Sequence, residues 1–151
     1  MLTQVLDAIV LVELGIGAGV LFGVALAMVP GFATLTPAGY VRTHQLFDPH
    51  YEPTMPTIMF TSAALSIVLA FTDTGDTRRV LHLLAAVALI GVIVISQFAA
   101  IPLLRMVRGV DPDSLPAGWR DPRRPWRAWH LGRTACAVAA LACTAAAVVI
   151  R

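Results

Sequence analysis

The sequence predicts an all-α membrane protein, a four-transmembrane-helix bundle with a short amphipathic helix in the first connection. Hydrophobic residues make up 58% of the 151 positions and charged residues 13%, whereas soluble domains average about 45–50% and about 25%. The apolar residues also form four long blocks, and a helix needs about 20 apolar residues to cross a bilayer core. The length is that of a single domain, residues 1–151.

Each apolar block is predicted to be one membrane-spanning helix. A helix pairs the backbone polar groups of a segment within that segment, as the lipid interior requires. The predicted spans cover residues 5–29, 54–71, 80–104 and 126–150.

Short sequence signals mark the ends of these spans. Pro30 and Gly31 are expected to close the first span, and residues 72–76 form a polar turn before the third. Trp126 and Trp129 begin the fourth span, where amphipathic aromatic rings are typical of a membrane interface.

The distribution of arginine predicts the orientation. Both termini and residues 72–79 would share one membrane side, called side A, and residues 30–53 and 105–125 would share the other, side B. Cytoplasmic loops carry an excess of basic residues. Side A has Arg78, Arg79 and Arg151, and side B has Arg42, Arg105, Arg108, Arg120, Arg123, Arg124, Arg127 and Arg133. We therefore expect both termini outside and the Arg-rich connections in the cytoplasm.

Composition also bears on the source and the partners of the chain. All eleven basic residues are Arg, which with abundant Ala, Val, Gly and Pro is typical of a GC-rich bacterial genome. The expected location is thus the bacterial inner membrane. The expected partner is the lipid bilayer, and the net charge of +2 gives no indication of nucleic-acid binding.

The connection between the first two spans is expected to contain the short helix. Thr36 is a good N-cap, and the proline after it suits the first helical position. We predict a helix over residues 37–47. Tyr40, His44 and Asp48 recur every four residues and would share one face of it.

Metal-ligating residue types are concentrated in this connection. His44, Asp48, His50 and Glu52 lie within nine residues, the last two in a predicted extended stretch before a proline. Imidazole suits zinc, copper and iron. His44, Asp48, His50 and His130 are therefore candidate ligands of copper, iron or zinc. The alternative is a solvated polar loop at the headgroup level.

Polar residues at the side B ends of later spans can join this group. Trp126, His130 and Arg133 share one face of the fourth span, and Gln97 lies at similar depth in the third. Ionisable residues inside a membrane usually face a cavity or a partner, although Arg133 could instead extend to the headgroups. Alternating spans bring these residues to side B, while His82 is expected at the side A interface.

Two features of the first span leave alternatives open. Glu13 is too deep to reach the first connection, so it is either a functional intramembrane carboxylate or an acid near the outer interface. Gly15, Gly19 and Gly23 recur every four residues, which permits close helix contact. That contact is either packing within the bundle or the seam of a homo-oligomer.

The motifs together resemble the anthrone oxygenase-like family of small four-helix membrane proteins, over nearly the whole chain. The similarity is carried by residues 28–31, 40–45 and 53–56 and by the run from Trp126 to Arg133. One departure is the end of the third span. Where the family usually has a Pro followed by an Asn-containing stretch, residues 101–105 here contain no Asn.

The resemblance implies a membrane-bound oxygenase acting on a lipophilic aromatic substrate, anthrone-like or phenolic. Characterised fungal relatives oxidise anthrones to anthraquinones with molecular oxygen. Carried over, His130 or His44 would be the base and Arg133 would stabilise an anionic oxygen. Both a cofactor-free route and a metal-assisted route remain open. The residues expected to bind the substrate are Tyr40, Gln97 and Trp126.

Non-enzymatic functions are the alternative to an oxygenase. A redox carrier of haem or quinone, a small transporter and an assembly subunit all fit a four-span protein. Haem is disfavoured because His82 and His130 lie toward opposite membrane sides, so they are not placed to share one iron.

Overall fold

The computed structural model describes residues 1–150, and this part of the chain is helical without strands. Four of its five helices are long and apolar enough to cross a membrane, which confirms the predicted fold class of an integral membrane protein. Arg151, counted on side A, lies outside the described residues. The helices are α1 Leu2–Thr34, α2 Pro37–Tyr51, α3 Thr54–Thr72, α4 Asp76–Arg108 and α5 Arg123–Val149.

The four long helices form a ring in which α1 and α4 each pack against both α3 and α5. The core between them is built from aliphatic side chains of α1 and α4, such as Leu14 and Leu89, and from small residues of α5, such as Ala137 and Ala140. Small residues let helix backbones approach closely. The bundle therefore packs tightly in its middle.

A buried ionic cluster joins the side A ends of all four long helices. Arg78 donates to Asp7 at 2.6 Å, to Asp73 at 2.6 Å and to the carbonyl of Ala147 at 2.5 Å. The start of α1, the end of α3, the start of α4 and the end of α5 therefore lie together, as alternating spans require. His82 lies at this side A end, as predicted, and is fully buried there, with Nε2 3.4 Å from Asp7.

Two helices continue through prolines, Pro30 in α1 and Pro102 in α4. The prediction that Pro30 and Gly31 close the first span is wrong, since α1 runs on to Thr34. A π-helical segment, Val24–Met28, lies directly before this proline, and another, Ser96–Ala100, lies before Pro102 in α4. The wider turn accommodates a proline ring that would otherwise clash with the preceding carbonyl.

The helix of the first connection is longer than predicted. Thr36 caps it as expected, because Oγ1 accepts the Gly39 N–H at 3.1 Å. The helix then runs to Tyr51, so the prediction of an extended stretch at His50 is wrong. Residues 37–51 lie across the side B end of the bundle, where α2 packs against the last turns of α4.

The glycines of α1 do not pack as a group inside the bundle. Gly15, Gly19 and Gly23 are exposed, and a Cβ added at any of them would have nothing within 4 Å. Packing within the bundle is therefore excluded for them, and the homo-oligomer seam stays a prediction. The close approach is made by Gly17, where an added Cβ would overlap the Met59 side chain.

Glu13 lies in the contact between α1 and α3. Its carboxylate accepts hydrogen bonds from Thr61 at 3.0 Å and from Ser62 at 2.8 Å. The carboxylate lies within the span, and these hydroxyls satisfy part of its hydrogen-bonding capacity. Glu13 does not line the side B cavity described below.

Candidate functional site

A largely apolar cavity opens within the side B half of the bundle. The cavity proper has a volume of about 140 Å³, less than the about 300–1,000 Å³ that is usual for small-molecule sites. All five helices contribute to its wall. Its apolar lining includes Leu21, Val24, Met28, Phe32, Met55, Met59, Phe60, Val92, Ile101 and Leu104.

The polar residues predicted to meet at side B line this cavity, with two exceptions. His44, Asp48, Gln97, Trp126, His130 and Arg133 are all part of its wall. Tyr40 and His50 are not. The convergence expected from alternating spans is therefore found for six of the eight predicted site residues.

The two π-helical segments lie on the wall of the cavity. Val24 and Met28 belong to the first, and Ser96 and Gln97 belong to the second. Single π turns within α-helices are frequent at functional sites, because they redirect side chains and disturb the regular backbone pairing. Here both face the same space from α1 and α4, which lie opposite each other in the ring of helices.

His44 is held in one orientation by Asp48. Its Nδ1 lies 3.0 Å and 3.2 Å from the two carboxylate oxygens, one helical turn away on α2. Because a carboxylate only accepts, Nδ1 carries the hydrogen in this pair. Nε2 is buried and has no hydrogen-bond partner among the described residues, and in the neutral imidazole it holds the lone pair.

Aromatic rings fix the plane of His44. The ring centroids of Tyr40, Phe32 and Trp126 lie 4.5, 4.9 and 5.1 Å from that of the imidazole, each in an edge-on arrangement. Only 2% of His44 is exposed. The imidazole therefore sits in a rigid and largely dry environment beside the cavity.

His130 is engaged through both of its ring nitrogens. Nε2 donates to the backbone carbonyl of Leu21 at 3.1 Å, and Nδ1 accepts from Arg133 Nη2 at 2.9 Å and Nε at 3.2 Å. A carbonyl only accepts hydrogen bonds and a guanidinium only donates them. His130 is therefore neutral, with its hydrogen on Nε2 and its lone pair on Nδ1. Trp126 stacks on the ring at 5.2 Å.

Comparison with known proteins identifies the family of the chain. The anthrone oxygenase family model matches residues 43–143 of the 151-residue chain. The chain belongs to the anthrone oxygenase family. No curated protein and no solved structure matches it. The matched region contains the six predicted site residues that line the cavity, and membership indicates an oxygenase-like function.

Within this anthrone oxygenase family member, the predicted metal ligands are not gathered at one point. His50 is exposed and lies outside the cavity, and His130 has no free nitrogen. In the described part of the chain, no three His, Cys, Asp or Glu side chains are close enough to hold a metal ion. The donor set therefore does not fit the predicted site of His44, Asp48, His50 and His130.

Tyr40 supports the site from behind rather than lining it. It is 1% exposed and packs against His44. Burial raises the pKa of its phenol, and the carboxylates of Asp121 and Asp48 raise it further, so the hydroxyl stays protonated at neutral pH. Its predicted contact with a substrate is not available in this geometry.

Trp126 also differs from its predicted interfacial position, since only 4% of it is exposed. Its ring lies between the two imidazoles, 5.1 Å from His44 and 5.2 Å from His130. Trp129, 46% exposed, remains in a position suited to the interface. The tryptophan at position 126 therefore belongs to the cavity wall.

Arg123, which the sequence did not single out, holds the two side B connections against the bundle. It donates to the carbonyls of Leu35 at 2.7 Å and Phe32 at 3.2 Å, and it pairs with Asp121. The hydrogen bond from Arg123 lowers the pKa of Asp121. The only feature of the sequence that pointed to this position was Asp121-Pro122-Arg123. That pattern is typical of a helix start and does not indicate hydrogen bonds from Arg123 to the first connection.

Proposed function

We propose that this protein is a membrane-bound oxygenase that oxidises a lipophilic aromatic carbon acid, anthrone-like or phenolic, with His44 as base and Arg133 as the cation. The single observation that carries the proposal is the unpartnered Nε2 of His44 in the wall of an apolar cavity that also contains Arg133. Family membership indicates the reaction class.

His44 is the better base of the two histidines. Its Nε2 lone pair is free, while Asp48 accepts from Nδ1 and would stabilise the imidazolium formed on proton transfer. His130 would first have to release either the Leu21 carbonyl or the Arg133 guanidinium. We therefore assign the base to His44 and give His130 no proton-transfer step.

The guanidinium of Arg133 is suited to stabilise an anionic oxygen of the substrate. Removing a proton from the CH₂ group of an anthrone moves negative charge onto the ketone oxygen. A guanidinium in a cavity with mostly apolar walls stabilises that charge more strongly than it would in water. Arg133 has no carboxylate partner among residues 1–150, so its charge is available to a ligand.

The proposed reaction balances without a further reductant. His44 takes one proton from the CH₂ group, the enolate carbon is oxidised by O₂, and the new C–O bond gives a hydroperoxide once a proton is returned. Loss of the second C–H proton with cleavage of the O–O bond releases water and leaves a carbonyl. The sum converts CH₂ and O₂ into C=O and H₂O.

The cavity wall fits such a substrate in polarity. Methionines 28, 55 and 59 and phenylalanines 32 and 60 form adaptable apolar surface around the polar groups. A flat polycyclic molecule would place its rings against them and its ketone toward Arg133. Gln97 and Trp126 would contact it, and it would enter from the lipid.

We further propose that the protein lies in a bacterial inner membrane with side B in the cytoplasm. This orientation rests on the eight arginines of side B against the three of side A. The cavity mouth would then lie near the cytoplasmic headgroups.

The test is oxygen consumption and quinone formation from an anthrone by the purified protein in detergent. We expect His44→Gln to lower kcat about 10²–10⁴-fold, as for loss of a general base, and Arg133→Met to lower it about 10²–10³-fold. His50→Gln is the matched control, because His50 is an exposed histidine on the same helix. Full activity of His44→Gln would refute the assignment.

Elemental analysis and an absorption spectrum of the same preparation test the alternatives. A stoichiometric metal that is lost in His44→Ala would support a metal-assisted route. A Soret band would support a haem carrier in place of the oxygenase.

A further inference from the structure

We infer that His130 is a positioning residue that acts through Arg133, and that the backbone carbonyl of Leu21 sets its tautomer. This inference rests on the proposed function, because it concerns how the cation of that site is held. It assigns a role to a buried histidine that transfers no proton in the proposed reaction.

The inference starts at the backbone of α1. Leu21 lies three residues before the π-helical segment Val24–Met28, where the regular pairing of carbonyls with N–H groups four residues on is interrupted. Two side chains of α5 approach its oxygen, His130 Nε2 at 3.1 Å and Thr134 Oγ1 at 3.5 Å. The Leu21 carbonyl also accepts the backbone N–H of Val24, so it is an acceptor of fixed position for α5.

That acceptor determines which nitrogen of His130 carries the hydrogen. With the hydrogen on Nε2, the lone pair of Nδ1 points at Arg133 and accepts from Nη2 at 2.9 Å and Nε at 3.2 Å. The ring has 0% exposure and is stacked on Trp126. The imidazole can therefore neither rotate nor change tautomer without losing a buried hydrogen bond.

The consequence is a guanidinium with a defined plane. An arginine side chain has several rotatable bonds, and fixing them in advance avoids an entropic cost during the reaction. With Nε and one Nη2 hydrogen directed to His130, the Nη1 group has no hydrogen-bond partner among residues 1–150. That group remains to bind a substrate oxygen in the cavity.

A double-mutant cycle on anthrone turnover by the full-length protein tests this role. His130→Phe keeps an aromatic ring against Trp126 but removes both nitrogens, and Arg133→Met removes the guanidinium. We expect His130→Phe to lower kcat about 100-fold, the effect of a displaced catalytic group, and to cause no further loss in the Arg133→Met background. If His130→Phe lowers kcat by the same factor in the wild-type and the Arg133→Met backgrounds, the inference is overturned.

His130→Asn separates positioning from a general structural role. Its side-chain oxygen can accept from Arg133 near the place of Nδ1, so it should recover part of the activity that His130→Phe loses. Both variants should fold, as measured by thermal unfolding in detergent. Equal loss of kcat in the two folded variants would count against a positioning role.

Nitrogen-15 NMR of histidine-labelled protein tests the tautomer without any substrate. The chain has four histidines, and the His130→Asn spectrum identifies the signals of His130. We expect a protonated Nε2 and an unprotonated Nδ1 whose signal shifts in Arg133→Met. If no anthrone is oxidised, the proposed function fails while this measurement still decides the inference, and a hydrogen on Nδ1 would overturn it.

Discussion

Arg78 is the residue whose loss should destabilise the bundle most. It donates to Asp7 and Asp73, both at 2.6 Å, and their side chains are only 6% and 8% exposed. It also donates to the carbonyls of Ala147 and Ile150 near the end of α5. Arg78→Gln leaves two carboxylates in a nearly dry site with no cation between them.

The expected loss is about 3–5 kcal/mol in the free energy of unfolding, since removing one partner of a buried ion pair leaves an uncompensated charge. The neighbouring Arg79 is the matched control. It is exposed and makes one long hydrogen bond, 3.3 Å to the Ala70 carbonyl. Arg79→Gln should therefore change the free energy of unfolding by no more than about 0.5 kcal/mol.

Denaturant titration of the folded protein in mixed micelles measures both variants, and pH supplies a second comparison. Burial alone would raise the pKa of Asp73, but the Gly75 N–H and Arg78 overcome this and hold it below its ordinary value of 3.8. Its stabilisation is thus present above pH 3.8 and is lost as pH falls through the lowered pKa. The difference between wild type and Arg78→Gln should shrink in that acid range.

Two results would refute the reasoning. One is Arg78→Gln unfolding within about 1 kcal/mol of Arg79→Gln at neutral pH, which is below the range for a broken buried pair. In the Arg78→Gln background, Asp7→Asn removes one of the two carboxylate charges that have lost their cation. The second refuting result is that Asp7→Asn does not raise the free energy of unfolding in that background.

The remaining predictions concern packing and orientation. Gly17→Leu should lower the free energy of unfolding by about 1–3 kcal/mol, because even its Cβ would overlap Met59. Gly19→Leu should leave unfolding unchanged, as nothing lies within 4 Å, and it should abolish crosslinked dimers if α1 is the homo-oligomer seam; dimers that persist would contradict the seam. Arg124→Cys should be shielded from an impermeant thiol reagent added outside cells, whereas Asp76→Cys should react. The opposite labelling pattern would invert the proposed orientation.

The helices were predictable because membrane crossing is a property of local composition. Any segment of about 20 apolar residues must pair its own backbone in lipid, whatever its neighbours are. Their ends were less predictable. Pro30, which has no backbone N–H, was expected to close the first helix. The π-helical turn before it accommodates the proline, and no feature of the local sequence predicted that turn.

The candidate site was predictable only as a group of residues on one membrane side. Alternating spans bring six of the eight predicted residues to one cavity. The other two depart for reasons of helix geometry. His50 lies on the last turn of α2 with its side chain exposed, and Tyr40 packs behind His44 on the same helix.

The sequence by itself determined the four apolar helices that are long enough to cross a membrane, the membrane side on which most of the site residues meet, and the family. Those properties follow from local hydrophobicity and from motifs within single segments. Only the tertiary structure decided which ring nitrogens of His44 and His130 make hydrogen bonds. That depends on hydrogen bonds such as the one from His130 to Leu21, 109 residues apart, whose formation requires the helices to be packed in register.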